Sequence, residues 1–437
     1  MRDVTKEITE GRAMTRDRKV FSNGVRGWVF FVLISAIIAI PVGIALGDVF
    51  TRDDTEWYLK IAEGRISEAM QPFTSRQLGP LLAGATSHLF HIDLKTSFLA
   101  QGVLSLLVLL GIIGFFLYRN RSSAWLCASI GGLAFWSFLF NGLVLPDLIF
   151  SAILACFLLL LDREHYLLSA LMLFPLFVTR ESAILVLPCL AVAGWKRMRL
   201  LDGLTALVMS IAGTVVVKRL AAGGLPNQEH VGPLLYLVGK VPWNFMKNMV
   251  GVALWNDRNP WTCAVPVWQT SVHLGGMHSI GVCAYDPERQ LETLFVALTC
   301  FGALPLISIL LLRRKPSLLW PDNVMLRFCV LYGGIAFVIG PSIGAALQRL
   351  VGYSWPMFVV AVPAILQQIP LPDGRRGVAI VVLHLGISWL PVIDHFAGIG
   401  RALHPAYCVV IVAAYFAIWR LMGSSSAVLD PSPVAEV

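Results

Sequence analysis

Long apolar stretches recur along the whole chain, and short polar connections separate them. A bilayer core is about 30 Å thick and takes roughly 20 apolar residues per helix, whereas an open sheet would leave its backbone unpaired there. The pattern therefore predicts about twelve membrane-spanning helices. They are placed near Trp28–Leu46, Leu94–Tyr118, Ser122–Phe140, Asp147–Leu161, Tyr166–Thr179, Ser182–Trp195, Leu200–Val217, Leu291–Leu312, Val324–Leu347, Tyr353–Leu366, Val378–Ile393 and Pro405–Leu421.

Composition agrees with this pattern, since 57% of the residues are hydrophobic, 14% are charged and the mean hydropathy is +0.73. No polar stretch is long enough for a large soluble domain. The predicted fold class is all-α, a polytopic helical membrane protein. We divide it into a basic leader (residues 1–27), one transmembrane domain (28–421) and a disordered cytoplasmic tail (422–437).

The basic residues predict the orientation. Lys and Arg concentrate in the leader and in every second loop, as expected for cytoplasmic segments. The first span lacks a small-residue cleavage site, so we expect an uncleaved helix. The net charge of +8 is then mainly an orientation signal, because the basic residues do not gather on one face with aromatics, as nucleic-acid binding would require. We expect a bacterial inner membrane protein with a cytoplasmic N-terminus.

Two outer loops are long. The first, residues 47–93, contains Trp57, Tyr58, Ile61 and Ala62 at helical spacing and then an apolar segment half a span long, so we predict two interfacial helices. The second, residues 218–288, is expected to be a small folded cap whose tryptophans either stack on a glycan or anchor the cap. Its cysteines, Cys263 and Cys283, lie on the predicted outer face, where the oxidising environment permits a disulfide. Sequence spacing alone leaves open whether the two are bonded.

Charges of both signs collect at the outer ends of the predicted spans. One explanation is that membrane boundaries are wet and tolerate charge, and the other is that the charges form a site. These residues are Asp53, Asp54, Arg76, Asp147, Arg180, Glu181, Arg349, Asp394 and His395. Their common side favours the second explanation.

The order of these outer motifs resembles the GT-C superfamily of integral-membrane glycosyltransferases. The resemblance covers roughly residues 28–360 and implies transfer of a sugar from a polyprenyl-phosphate carrier on the outer face, through an aspartate in the first outer loop. The motifs that carry it are Asp54 and Tyr58, Ile61-Ala62-Glu63-Gly64, Arg76 through Ala83, Leu145-Pro146-Asp147, Thr179-Arg180-Glu181, Arg349-Leu350 and Trp355-Pro356.

The chemistry of such a transfer assigns roles. A carboxylate can take the proton of an acceptor hydroxyl, and we expect Asp54 to be this base, with Asp53 as the alternative. Tyr58 lies four residues after Asp54, so a helix would place both on one face, where the ring orients the acid or stacks on sugar. In a different interpretation, the two aspartates only cap the helix.

The leaving lipid phosphate needs fixed cations or a divalent metal. Arg349 is the leading candidate, because a guanidinium binds phosphate through two parallel hydrogen bonds. Arg76 and Arg180 come second, and we favour a structural ion pair between Arg180 and Glu181. Asp147 either orients the acceptor or caps its helix. No metal or nucleotide motif is present, so we expect no cofactor, while the need for a divalent metal stays open.

The expected partners are a polyprenyl-phosphosugar donor, an acceptor that is a glycan, a lipid or a protein, and the membrane lipid, with no nucleic acid. Two alternatives remain. The first is a multi-span lipid or glycolipid flippase or transporter, which should place charges near the bilayer midplane on broken helices. The second is a polysaccharide polymerase or ligase whose long outer loop binds the acceptor chain.

Overall fold

The structure, a computed structural model, describes residues 26–45, 53–119, 145–227, 233–274, 276–314, 317, 320–344, 346–366, 374–397 and 403–423. Most of these residues are helical. The helices are α1 (Arg26–Ala45), α2 (Asp53–Ala62), α3 (Leu78–Phe90), α4 (Leu94–Arg119), α5 (Pro146–Asp162), α6 (Tyr166–Thr179), α7 (Val186–Gly194), α8 (Leu200–Leu220), α9 (Pro233–Phe245), α10 (Pro287–Thr299), α11 (Leu304–Arg314), α12 (Val324–Ile343), α13 (Leu347–Gly352), α14 (Pro356–Leu366), α15 (Arg375–Ala397) and α16 (His404–Gly423).

Six helices within the described ranges are long and apolar enough to cross a membrane, and there are seven if α10 and α11, which meet at a 74° bend, form one span. The six are α1, α4, α8, α12, α15 and α16. Helices α6 and α14 are apolar but shorter, and α5 has 17 residues. The predicted span at 122–140, residues 1–25 of the predicted leader (1–27) and residues 424–437 of the predicted tail (422–437) lie outside the described residues. A membrane protein is therefore indicated, while the count of about twelve spans stays a prediction.

The core lies between α4, α5, α12 and α14. Apolar residues fill the facing sides of these helices, and aromatic rings pack across the interfaces. The ring centroids of Phe157 in α5 and Phe328 in α12 lie 5.0 Å apart. Phe337 of α12 meets Phe358 of α14 at 5.1 Å. Edge-to-face aromatic pairs of this kind add stability beyond the area they bury. This core supports the helix ends on which the charged side chains lie.

Helices α2 and α3 form in the first outer loop as the spacing predicts. The apolar face of α2 packs into a small separate cluster through Tyr58 and Ile61, both fully buried, against Ala83 of α3, Phe98 of α4 and Leu145 ahead of α5. Close approach of the two helices requires a glycine, because a Cβ at position 84 would lie 2.5 Å from the carbonyl oxygen of Ala62. The loop is therefore a packed unit attached to α4 and α5.

The second outer loop corrects the all-α prediction. It contains a three-stranded antiparallel sheet in the order β1-β3-β2, made of β1 (Val252–Asn256), β2 (Trp268–Leu274) and β3 (Met277–Tyr285). A disulfide joins Cys263 and Cys283, which is the pairing that the sequence left open. The strands show no clear alternation of apolar and polar residues, and the prediction missed them because the spans dominate the hydropathy pattern.

Candidate functional site

Charged side chains from five separate segments meet in one place. The segments are α2, the turn before α3, the start of α5, the turn between α6 and α7, and α13. We call this group the charged cluster, and its members are Asp54, Tyr58, Arg76, Asp147, Arg180, Glu181, Arg349 and Tyr353. Seven of the eight were predicted from the sequence. Their sequence separations reach 295 residues, so only the tertiary fold brings them together.

Local geometry explains two of these positions. Leu145 is extended before α5 and Pro146 occupies the first helical position, where its missing N–H costs nothing, so Asp147 falls in the first turn. Arg180 is extended between α6 and a 3₁₀ turn, Glu181–Leu185, which directs it away from both helices. The amide of Gln77 donates to the carbonyl of Val178 at 3.1 Å and ties the first outer loop to this turn.

Asp147 is the centre of one half of the cluster. Its side chain is only 2% exposed, and its Oδ1 accepts hydrogen bonds from Arg180 and from the hydroxyl of Tyr353. Its Oδ2 lies 3.7 Å from Nη1 of Arg349. Asp147 therefore holds two arginines in place. The hydrogen bonds of its carboxylate go to these side chains, whereas its place in the first turn of α5 is also compatible with the alternative in which it caps its helix.

Arg76 is the centre of the other half. Its Nη2 and Nε donate to the two carboxylate oxygens of Glu181 at 2.6 and 3.1 Å, and its Nη1 donates to the hydroxyl of Tyr58 at 2.8 Å. The predicted pair between Arg180 and Glu181 is thus wrong, since each finds another partner. Burial alone would raise the pKa of Glu181, but the charge and hydrogen bonds of Arg76 outweigh it and hold that pKa well below its usual range.

Asp54 joins the cluster through Arg349. Its Oδ2 lies 3.3 Å from Nη1 of Arg349, and 31% of its side chain is exposed. The contact of Asp147 outweighs the effect of burial and raises the pKa of Arg349, so the guanidinium stays charged. Asp53 is the first residue of α2, but its side chain lies outside the described part of the chain, and so does that of His395. Asp394, with its side chain 3.4 Å from His404, belongs to a separate pair.

Two members of this neighbourhood were not predicted. Tyr353 donates to Asp147, and its ring lies beneath the guanidinium of Arg180, 5.1 Å away. Its spacing of four residues from Arg349 was an available signal that the apolar span pattern hid. Lys240 of α9 lies close enough for the cluster to act on it, and burial together with the positive charge of Arg76 lowers the pKa of Lys240 to about 8.

Several polar atoms of the cluster are buried without a hydrogen-bond partner among the described residues. They are Nε of Arg180, Nε of Arg349 and Oδ2 of Asp147. A buried donor without an acceptor costs about 1–3 kcal/mol, so such atoms are uncommon in folded proteins. Arg180 and Arg349 both approach Asp147, and guanidinium N–H groups are suited to an anionic oxygen ligand such as a phosphate.

The described side chains offer little for metal binding. No group of three or more His, Cys, Asp or Glu side chains in the described ranges is arranged to hold a metal ion. The expectation of no cofactor stays a prediction. The groups of the charged cluster are the carboxylates of Asp54, Asp147 and Glu181, three arginines and two tyrosine hydroxyls.

No protein-family model matches this chain, and a comparison with curated proteins finds no match. The functional assignment below therefore depends on the geometry of the cluster and on the motifs of the sequence.

Proposed function

We propose that the protein is a membrane glycosyltransferase that moves a sugar from a polyprenyl-phosphate carrier to an acceptor hydroxyl. The observation that carries this proposal is the contact between Asp54 and Arg349, whose side chains lie 3.3 Å apart at one end of the helices, with Asp147 behind them. A base for the acceptor and a cation for the leaving phosphate must lie within a few ångströms of the same anomeric carbon. These two residue types in contact meet that need.

The proposed reaction is a single displacement. Asp54 takes the proton from the acceptor hydroxyl as its oxygen forms a bond to the anomeric carbon. The bond between that carbon and the phosphate oxygen breaks, and the electron pair leaves with the lipid phosphate. Arg349 and Arg180, both held by Asp147, stabilise the developing negative charge. A single displacement inverts the anomeric configuration.

Contacts between the two long loops support a site on the outer face. The amide of Gln71 donates to the carbonyl of Leu225 at 3.0 Å, and the amide of Leu225 donates to Ala69 at 2.8 Å, so both loops lie on one side of the helices. The disulfide between Cys263 and Cys283 is in the second loop. Disulfides persist in oxidising compartments, and this favours the periplasmic face.

The transporter alternative receives little support from the bent span that the described residues contain. In transporters, unwound backbone at a broken helix coordinates the coupling ion. Here the break between α10 and α11 is bonded within the protein, because the amide of Ala303 donates to His384 at 2.9 Å. The hydroxyl of Tyr415 donates to the carbonyls of Leu298 and Gly302 at 2.8 and 2.7 Å. A polymerase or ligase would use the same cluster and differ in its acceptor.

The test is release of polyprenyl phosphate from a panel of labelled polyprenyl-phosphosugars, with the full chain in nanodiscs and membrane extract as the source of acceptor. We expect sugar-dependent release by wild type and a loss of about 100-fold or more in Asp54→Asn, as removal of a general base predicts. Glu56→Gln is the matched control, since Glu56 lies on the same helix but 65% of its side chain is exposed and pairs with Lys60.

The outcomes separate the candidates. Equal release by wild type and Asp54→Asn would move the base to Asp53 or elsewhere. Absence of release with every donor would contradict the proposed function. It would favour the flippase or transporter alternative, which a lipid-translocation assay would then test.

A further inference from the structure

One guanidinium nitrogen, Nη1 of Arg349, faces two carboxylates. It lies 3.3 Å from Oδ2 of Asp54 and 3.7 Å from Oδ2 of Asp147. Charge-assisted N–H···O bonds are normally about 2.7–2.9 Å long, so neither contact is a fully formed bond. The Nε of the same guanidinium is buried without a hydrogen-bond partner in the described residues. Arg349 is therefore held loosely by two anions and retains unused donor capacity.

The two carboxylates are not equally fixed. Asp147 is buried and is also bound by Arg180 and Tyr353, so it has three partners. For Asp54, Arg349 is the single ion-pair and hydrogen-bond partner in the described part of the chain, and the Asp54 side chain is 31% exposed. An anion that approaches Arg349 from solvent can replace Asp54 at little cost, whereas replacing Asp147 would break a buried network.

We propose that the donor phosphate replaces Asp54 on Arg349 and thereby releases the base. This inference rests on the proposed function, since it concerns how that same site is regulated. While Arg349 holds Asp54, Oδ2 of the carboxylate is directed at a cation rather than at an acceptor hydroxyl. Binding of the donor breaks this contact, so the base becomes available only when the sugar is present. Substrate binding is then ordered, with the donor before the acceptor.

The charges agree with this exchange. Arg76 and Glu181 neutralise one another through two hydrogen bonds and take no part. With Asp54 released, Arg180 and Arg349 share the single carboxylate of Asp147, so these three side chains together carry one positive charge. A polyprenyl-phosphosugar is a phosphodiester with one negative charge, so it restores neutrality in a buried site where an unpaired charge is costly.

The test is binding of a short polyprenyl monophosphate, farnesyl phosphate, to the full chain in nanodiscs, measured by titration calorimetry with farnesol as the control for the apolar tail. We expect Asp54→Asn to bind farnesyl phosphate at least about fivefold more tightly than wild type, because the amide no longer competes for Arg349. Glu56→Gln removes the same charge from the exposed face of α2 and should leave the dissociation constant unchanged.

A double-mutant cycle completes the test. In the background of Arg349→Gln, binding should be weak and Asp54→Asn should no longer tighten it, because the shared guanidinium is gone. If wild type binds farnesyl phosphate more tightly than farnesol and Asp54→Asn leaves that affinity unchanged, the exchange is wrong while the proposed function stands. If wild type does not distinguish farnesyl phosphate from farnesol, both are wrong.

Discussion

Two carboxylate–arginine pairs lie side by side in this protein, and they are built differently. Arg76 and Glu181 form a fork of two hydrogen bonds at 2.6 and 3.1 Å, to which Tyr58 adds a third partner. Arg349 and Asp54 share a single contact of 3.3 Å. A bidentate pair is strong and fixes the geometry of both side chains, whereas a single long contact is weak and fixes little. The first pair is closed and structural, and the second is open to exchange with a ligand.

The difference indicates that charged residues at helix ends can serve either stability or activity. Glu181 and Arg76 link the first outer loop to the turn after α6 and so fix the position of Tyr58, on the same face of α2 as Asp54. The closed pair thus anchors the first outer loop to the helices and contributes mainly to stability. We expect the stability of the protein to follow the closed pair and its activity to follow the open one.

The largest expected effect is on activity through Arg349. Arg349→Lys keeps the positive charge but loses the planar fork that can bind two phosphate oxygens. We expect the kcat for sugar transfer to fall by about 100-fold, comparable to removal of one donor that stabilises a transition state. The measurement is polyprenyl phosphate release, with thermal unfolding in detergent as the control for folding. A loss smaller than about threefold, within the worth of an exposed charge pair, would remove Arg349 from the proposed mechanism.

Next in size is the expected effect of replacing Glu181 on the free energy of unfolding. Glu181→Gln leaves the guanidinium of Arg76, only 4% exposed, without its carboxylate. Breaking a buried pair costs about 3–5 kcal/mol, and we expect about 2 kcal/mol because a third of the Glu181 side chain reaches solvent. The midpoint of thermal unfolding should fall, while transfer per folded molecule changes little. A large loss of kcat at unchanged stability would show that the closed pair also acts in chemistry.

The same pair has a defined pH dependence. The folded-state pKa of Glu181 is lowered, so its stabilisation is present above the unfolded value of about 4.3 and is lost as pH falls through the lower folded value. The difference in unfolding temperature between wild type and Glu181→Gln should therefore stay constant from neutral pH down to about 5 and shrink in stronger acid. A difference that already shrinks between pH 7 and pH 6 would contradict this assignment.

A more local effect, with little consequence for transfer, is expected from the disulfide. Replacing Cys263 and Cys283 together by serine removes a cross-link that closes a loop of sequence separation 20. The chain-entropy estimate for such a loop is about 3 kcal/mol, but it acts on the sheet rather than on the charged cluster. We expect faster proteolysis within residues 252–285 and near-normal transfer. Loss of transfer as large as that of Arg349→Lys would show that the sheet belongs to the site.

The smallest expected effect concerns Lys240. With a pKa of about 8, its ammonium is charged at neutral pH and neutral at pH 9. A phosphodiester does not titrate in this range, so the KM for the donor should rise about threefold between pH 7 and pH 9, the size expected of one weak charge pair. In Lys240→Arg the KM should stay level, because an arginine keeps its charge. Equal pH profiles in both proteins would exclude Lys240 from donor binding.

Sequence alone predicted much of the site and part of the fold. It identified the membrane class, helices α2 and α3, and seven of the eight cluster members, because charge is rare in such a chain and each charged residue at a helix end stands out. It missed Tyr353, which has an apolar ring and lies in an apolar run, and it missed the three strands in the second outer loop.

Pairing was decided only by the tertiary structure. Arg180 and Glu181 are neighbours in the chain and were expected to pair, but Arg180 contacts Asp147 and Glu181 contacts Arg76. A hydrogen bond depends on distance and direction to within a fraction of an ångström, and sequence order does not specify these for residues 105 or 295 positions apart. Hydropathy is a property of each local segment, so the sequence determined the class and the candidate residues, whereas packing of distant segments determined their partners.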